Sequence, residues 1–379
     1  MKIIQISPSY KPAYIYGGTI SSIALLCEAL VERDLELEVI TTTANGRYEL
    51  PVSTAEPCLV DGVNVRYFKR HTRDHTHFSP TLIAYIYRTT SANQKDLIIH
   101  IHSWWNLTAV LSFLMARYRK IPIILSPRGM LTPYSKSNRH EFLKYILQWL
   151  IGRKLFKHCL IHATSEKEHQ DILTLHSKAR ITIIPNLVKT NTATNTSIHH
   201  NDTFNLIFLS RIEEKKGLEF LFEALQHLDF NWKLTLAGTG DDTYIEKLKN
   251  TARTLKINTL IAWTGHIDDS RKYHVIAQSD LLVLFSFNEN FANVVAESLS
   301  VGTPVAISDQ VGLAPFVAEH DLGWICIPDP LKIAQVLKLA HQDQKKRIRI
   351  RKTAPALISE HFSRQHLVDQ YLSMYQRSL

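Results

Sequence analysis

Two cations, Arg211 and Lys216, flank a tight loop within the run SRIEEKKG, residues 210–217, between an apolar strand at 204–209 and a helical pattern after Gly217. Cations at the mouth of a helix suit a diphosphate, because Coulomb attraction and backbone N–H donors add. Two glutamates, Glu289 and Glu297, stand eight positions apart within SFNENFANVVAESLSVGTPVAIS, residues 286–308. That stretch follows an apolar run, Leu281 to Phe285, and reads as loop, helix, tight turn and strand. Its loop and helix start would face a ligand, as open α/β sheets bind at the carboxyl ends of their strands. An ordinary βαβ unit with incidental glutamates is the plainer alternative. Gly238-Thr239-Gly240 ends a further strand and allows a close backbone approach.

The first half carries fewer such residues. Gly17-Gly18 lies after the first strand and before a helix, where a phosphate can come near the backbone. The pair is not the full dinucleotide fingerprint, so NAD is disfavoured, and by itself it is as readily a turn. His102 ends the strand 96–101, at the crevice position, but a buried structural histidine has the same sequence appearance. Trp104 and Trp105 suit either the core or a sugar ring. Arg128-Gly129 occupies the loop after the strand 121–125.

These residues need elements to position them. Strands are expected at 2–6, 36–42, 96–101, 121–125, 160–165 and 181–185, and again at 204–209, 232–237, 260–264, 280–285 and the run after Pro304. A first helix is expected from Thr19 or Ser21, with Ile23, Leu26, Leu30 and Val31 on one face. Residues 189–203, KTNTATNTSIHHNDT, carry almost no apolar side chain and read as a linker. Residues 362–379 read as a terminal amphipathic helix bearing Leu367, Tyr371, Leu372 and Tyr375.

A chain of 379 residues exceeds what one core usually organises, so two domains are expected. The four scattered cysteines, Cys27, Cys58, Cys159 and Cys326, suit neither a zinc site nor a disulfide framework, and fit a reducing compartment. The N-terminus lacks the apolar length of a signal peptide, and no run reaches the roughly 20 residues of a membrane span. The net charge of +9 is uneven: residues 1–190 hold 24 Lys and Arg against 14 Asp and Glu. A basic half suggests an anionic partner, or serves solubility alone. Residues 134–158 interleave Lys136, Arg139, Lys144, Arg153, Lys154 and Lys157 with aromatic and aliphatic residues, a pattern for an anionic bilayer surface or for a packed helix with a solvated basic face.

Taken in order, these motifs resemble glycosyltransferase family 4, the retaining enzymes of the GT-B fold. The resemblance runs through Gly17-Gly18, His-Ser-Trp at 102–104, SPRGML at 126–131, HATSEKE at 162–168, IPN at 184–186, SRIEEKKG, AGTG at 237–240 and the Glu-x7-Glu stretch. SPRGML and NENFANVVAE resemble a bacterial subgroup that assembles surface polysaccharide and lipopolysaccharide. Asn290 and Ala292 depart from the pattern, standing where many relatives have glycine.

The resemblance implies two Rossmann-like doubly wound α/β domains facing across a cleft: residues 1–189 for the acceptor, a linker at 190–203, and 204–361 for the donor. The last helix, 362–379, would return to the first domain. It implies sugar transfer from a nucleoside diphosphate sugar to a lipid-linked or lipopolysaccharide-type saccharide acceptor. Arg211 and Lys216 would hold the leaving diphosphate, His102 and Glu289 would address the sugar, and Glu297 would bind the ribose. Gly17, Gly18, Arg128, Gly238, Gly240, Asn290, Phe291, Ala292 and Asn293 would complete the donor site. No metal, cofactor or nucleic acid is implied. The location implied is cytoplasmic, with the basic half at the inner membrane face. Two other readings stay open: a GT-B relative with different chemistry (a nucleotide-sugar epimerase or a sucrose-type synthase), and a non-enzymatic module for anionic lipid or nucleic acid.

Overall fold

The structure, a computed structural model, describes residues 1–94, 96–132, 156–190 and 202–379. The basic and aromatic stretch 134–158 lies outside the described residues except for 156–158, as does most of the linker. The chain divides into two compact units: unit 1 combines 1–187 with 364–379, and unit 2 is 188–363.

Unit 1 holds β1 (Lys2–Ser7), β2 (Glu36–Thr42), the short β3 (Ala44–Asn45) and β4 (Tyr48–Glu49), β5 (Cys58–Val60), β6 (Val63–Phe68), β7 (Leu97–His102), β8 (Ile123–Ser126), β9 (Leu160–Ala163) and β10 (Ile181–Ile183). Its main sheet has the order β10-β9-β8-β7-β1-β2-β6-β5, parallel except where β5 meets β6. Its helices are α1 (Gly18–Val31), α2 (Pro80–Thr89), α3 (Leu107–Tyr118) and α4 (Glu166–Leu175). Helix α1 begins at Gly18, one to three residues before the expected start at Thr19 or Ser21, with Gly17 as its cap. Strands β5 and β6, like the strand Gly323–Cys326 of the second unit, are not among the expected strands: β5 is short, and β6 alternates apolar and polar residues rather than forming the continuous apolar run of a central parallel strand.

Unit 2 holds β11 (Phe204–Leu209), β12 (Trp232–Ala237), β13 (Ile261–Gly265), β14 (Leu281–Leu284), β15 (Val305–Ser308) and β16 (Gly323–Cys326) in the order β13-β12-β11-β14-β15-β16. Every ladder is parallel. Its helices are α5 (Leu218–Leu225), α6 (Asp242–Thr254), α7 (Asp269–Ala277), α8 (Asn293–Ser300), α9 (Ala314–Glu319), α10 (Pro330–Gln342) and α11 (Gln344–His361). Strands β14 and β15 are buried throughout, as parallel strands covered on both faces must be.

In each sheet the strand order reverses once, between β1 and β7 in unit 1 and between β11 and β14 in unit 2. The loops leaving two such strands diverge to opposite faces and open a crevice at their carboxyl ends. The topology therefore brings Gly17 and His102 to one crevice, and Arg211, Lys216 and Glu289 to the other.

The last helix, α12 (Arg364–Gln376), packs in unit 1. Its buried face is Leu367, Val368, Tyr371, Met374 and Tyr375, while Leu372 is only half-buried. It covers a polar stripe that crosses four adjacent strands: Gln5 on β1, His100 and His102 on β7, Ser126 on β8 and His162 on β9, all fully buried. Strand register places Gln5 beside His100 and His102 beside Ser126. The Tyr375 hydroxyl lies 2.8 Å from His100 Nδ1 and accepts from Gln5 Nε2 at 3.0 Å. The Tyr371 hydroxyl lies 3.2 Å from His162 Nε2.

Burial pushes all three histidines well below the ordinary imidazole range, and the Arg128 guanidinium adds to this, with His162 reaching about 3. Other groups facing them are the tyrosine hydroxyls and the imidazoles themselves. In the unfolded chain each titrates near pH 6.5, so below that the unfolded state binds the extra protons. Stability is then complete above about pH 6.5 and falls on acidification by about 4 kcal/mol per pH unit for three neutral histidines. Denaturant titrations between about pH 7.5 and pH 5 read this slope; a flat profile across the range contradicts three neutral histidines.

Candidate functional site

The unit 2 crevice is built from two loops. After β11, Ser210–Gly217 carries Arg211 and Lys216. After β14, 285–292 carries Glu289. Phe287 N–H donates to the Lys215 carbonyl at 2.8 Å and laces the loops together. Glu289 is fixed through its backbone: its N–H donates to Gln310 O at 3.1 Å and its carbonyl accepts from Gly312 N at 2.9 Å.

Lys216 Nζ forms an ion pair with Glu289 Oε1, with side-chain exposures of 6% and 15%. So little water reaches these charges that each needs the other. Burial works against the Glu289 carboxylate, but Lys216, Lys215 and Arg211 outweigh it and hold its carboxyl below the usual range. Burial draws Lys216 down, and the attraction of Glu289 recovers part of the loss. Arg211 is more open at 37% and bonds Glu213 at 2.5 Å.

Gly238 and Gly240 shape this crevice indirectly. A Cβ on Gly238 would stand 1.8 Å from Ser210 O, and one on Gly240 2.2 Å from Ile212 O. The close approach expected there is to the chain's own Arg211 loop, which Ile212 N–H ties to Thr239 O at 2.8 Å. Substituting either glycine would displace the backbone that aims Arg211.

Ala292 caps α8 with φ 70° and ψ 74°, a left-handed conformation usually left to glycine or asparagine. The loop thus keeps a glycine-like path while carrying a Cβ. The Phe291 ring is buried at 2% exposure and packs edge-on against Phe362 at 5.9 Å, so only its backbone remains for a ligand. Asn290 precedes it and Asn293 opens α8. Glu297 lies within α8 and bonds Lys272 of α7 at 2.9 Å. Burial lifts the Glu297 carboxyl above its ordinary range despite Lys272, while Glu297 overcomes the burial of Lys272 and raises the amine.

In unit 1, Gly17 turns the chain into α1 with φ 71° and ψ −149°, a region open to glycine, and Gly18 is the exposed first residue of that helix. His102 has no solvent exposure; its Nε2 lies 2.7 Å from Gln5 Oε1 and its Nδ1 3.4 Å from Arg128 Nη2. Ser103 and Arg128 both have positive φ, at 72° and 55°. Arg128 Nη1 donates to Asn186 Oδ1. Trp104 is core, against Phe113 and Phe156, and Trp105 Nε1 donates to Met130 O at 2.6 Å.

Sequence reasoning missed the residues that hold these groups. The buried Glu168 accepts from Gly129 N at 2.7 Å and from Thr164 N at 2.7 Å, so one carboxylate fixes the Arg128 loop to the start of α4. Ser165-x-x-Glu168, a capping-box spacing, was its signal. Lys272 and Gln5 left no local signal, since their partners lie far away in sequence. Among the described residues no three His, Cys, Asp or Glu side chains gather into a metal-binding group.

Two mainly parallel α/β sheets, each with its strand order reversed once, make two Rossmann-like units, and Arg211 and the buried Lys216 gather at the reversal of the second. The profile for "Glycosyl transferases group 1" matches residues 191–356, and that for "Glycosyltransferase Family 4" matches 16–192. The chain belongs to glycosyltransferase family 4. It is 28% identical over 167 residues to the lipopolysaccharide core biosynthesis glycosyltransferase LpsE of Rhizobium meliloti, covering 44% of this chain and 48% of that protein. It is 27% identical over 176 residues to N-acetyl-alpha-D-glucosaminyl L-malate synthase of Bacillus anthracis, covering 45% and 44%. These matches span about half the length of either relative. Anabaena HepE, solved in complex with UDP and glucose, shares the fold along the full length of both chains, with TM-score 0.77 and 20% identity.

The Ala292 geometry is testable by restoring glycine. Relief of about 1–2 kcal/mol of left-handed strain outweighs the roughly 0.5–1 kcal/mol that glycine adds to unfolded-chain entropy. Ala292→Gly is expected to raise the unfolding free energy by about 0.5–1 kcal/mol in denaturant titrations; a loss of stability contradicts the strain.

Proposed function

We propose that the protein transfers a sugar from a nucleoside diphosphate sugar to a saccharide acceptor, with retention of anomeric configuration and without a divalent metal. The observation that carries the reading is the buried Lys216–Glu289 pair with the more open Arg211 near it, at the strand reversal of unit 2. As the bond to the sugar breaks, negative charge grows on the leaving diphosphate. Arg211 and Lys216 stabilise it, and the N-terminal end of α8 adds its dipole. Glu289 and the backbone of 290–293 address the sugar. Glu297 binds the ribose hydroxyls. Within unit 2, Gly238 and Gly240 seat the Arg211 loop; within unit 1, Gly17, Gly18, Arg128 and His102 serve the crevice at the strand reversal. A donor phosphate oxygen takes the acceptor proton, so no side chain is assigned as base. Residues 1–189 serve the acceptor and 204–361 the donor.

The acceptor is a lipid-linked saccharide or a precursor of lipopolysaccharide or exopolysaccharide. The surface-polysaccharide relative and the basic first half support this choice. Among the described residues no helix is long and apolar enough to cross a membrane, and the proposed contact is peripheral, at the cytoplasmic face.

Arg211→Ala and Lys216→Ala are each expected to cut turnover at least about 10²-fold in a donor-consumption assay, the scale for losing one transition-state charge partner. Wild-type turnover in both removes the clamp. NMR of the product reads retention. Co-sedimentation with anionic but not neutral vesicles, weakened by salt, is expected if the basic half meets a membrane; no binding at low salt removes that contact.

A further inference from the structure

The hydrogen bonds beneath α12 have one consistent direction, set at one end by a backbone carbonyl. Ile184 O can only accept, and His162 Nε2 lies 2.8 Å from it, so that nitrogen carries the proton. The Tyr371 oxygen, 3.2 Å from the same Nε2, shares it as a second acceptor. In a neutral ring Nδ1 is then bare and must accept from Ser126 Oγ at 2.6 Å. Having given its one proton, Ser126 Oγ accepts from His100 Nε2 at 2.7 Å. His100 Nδ1 is therefore bare and accepts the Tyr375 hydroxyl proton at 2.8 Å. Tyr375 Oη accepts from Gln5 Nε2 at 3.0 Å, which turns Gln5 Oε1 toward His102 Nε2 at 2.7 Å. His102 Nε2 must donate, leaving Nδ1 as a lone pair facing Arg128 Nη2 at 3.4 Å.

Reversing the Gln5 amide reverses each link and leaves two lone pairs opposed at Ile184, so the carbonyl selects one arrangement. Neutrality of the rings follows from their complete burial, from the 4.2 Å between the His100 and His102 centroids, and from Arg128 nearby.

We infer that Tyr375 of α12 is a positioning residue: through Gln5 it holds His102 as the Nε2–H tautomer, whose bare Nδ1 orients the Arg128 guanidinium at the unit 1 crevice. The tautomers rest on geometry alone, while their effect on turnover rests on the transferase reading above. Arg128 is held by His102, by Asn186 Oδ1 and by the Tyr371 hydroxyl of α12, and its loop by Glu168. The orientation of a guanidinium in the crevice is thus fixed by a helix more than 240 residues further along the chain.

Side-chain ¹⁵N spectra of the full-length protein at neutral pH test this. His100, His102 and His162 are all expected as Nε2–H tautomers; Nδ1–H at any of them overturns the chain. In Tyr375→Phe, His162 keeps its tautomer while His102 becomes a mixture. Turnover then falls on the order of 10-fold, as for a small misplacement of a site group. A single Nε2–H His102 with wild-type turnover in that variant removes the positioning role. Ser126→Ala breaks the chain at another link and is expected to release His100 and His102 in the same way, so a poorly folding Tyr375→Phe leaves the question decidable; retention of both tautomers there overturns it. Absence of turnover in the wild type with every nucleoside diphosphate sugar overturns the transferase reading and leaves the tautomers standing.

Discussion

A lysine withdrawn from water needs an anion beside it, and Lys216 has Glu289. The pair joins the loops after β11 and β14, the two strands between which the sheet of unit 2 reverses. Neither charge is stable alone at such exposure, so removing one partner costs more than the pair contributes while intact. The surrounding structure serves this contact. Gly238 and Gly240 let the Arg211 loop lie against its neighbour, and the Glu289 backbone is held from both sides by the 310–312 turn. A diphosphate arriving at Lys216 meets an amine already engaged, and must compete with Glu289 or bind both it and Arg211.

Unit 1 solves a different problem. Its strand reversal is lined by polar groups buried within the sheet, and an unpaired donor or acceptor there costs about 1–3 kcal/mol. The solution is a closed series of hydrogen bonds capped by two tyrosines one helical turn apart. Positive φ at Ser103 and Arg128 marks the same rim, and such strain persists where neighbours over-determine the backbone. Glu168 supplies part of that constraint by holding Gly129 and Thr164 at once.

Much of this was legible in the sequence because it is local. Apolar runs such as Leu281–Leu284 give the strands, and Gly17 followed by an apolar face gives α1. Arg211, Lys216 and Glu289 stand out because cations and carboxylates just after predicted strands have few structural reasons to be there. What stayed hidden is non-local. The role of Gln5 depends on Tyr375, and that of Glu297 on Lys272. The sequence at His102 fits either a crevice residue or a buried one; its position is the first and its environment the second. Gly238 and Gly240 suggest room for a ligand, yet the nearest atoms belong to the chain's own backbone. Strands β5, β6 and β16 were missed: β5 and β16 are short edge strands, and β6 alternates apolar with polar residues.

The pairing of Gln5 with Tyr375 also bears on how the protein is made. Strand β1 leaves the ribosome before unit 2, but the helix that covers its polar stripe is synthesised after the whole of unit 2. Unit 2 can complete its core while unit 1 still exposes three imidazoles, a serine and a glutamine on a half-covered sheet. Long sequence separation slows such closure. The nascent first half therefore waits, incompletely sealed, for a helix of thirteen residues that follows unit 2 in the chain.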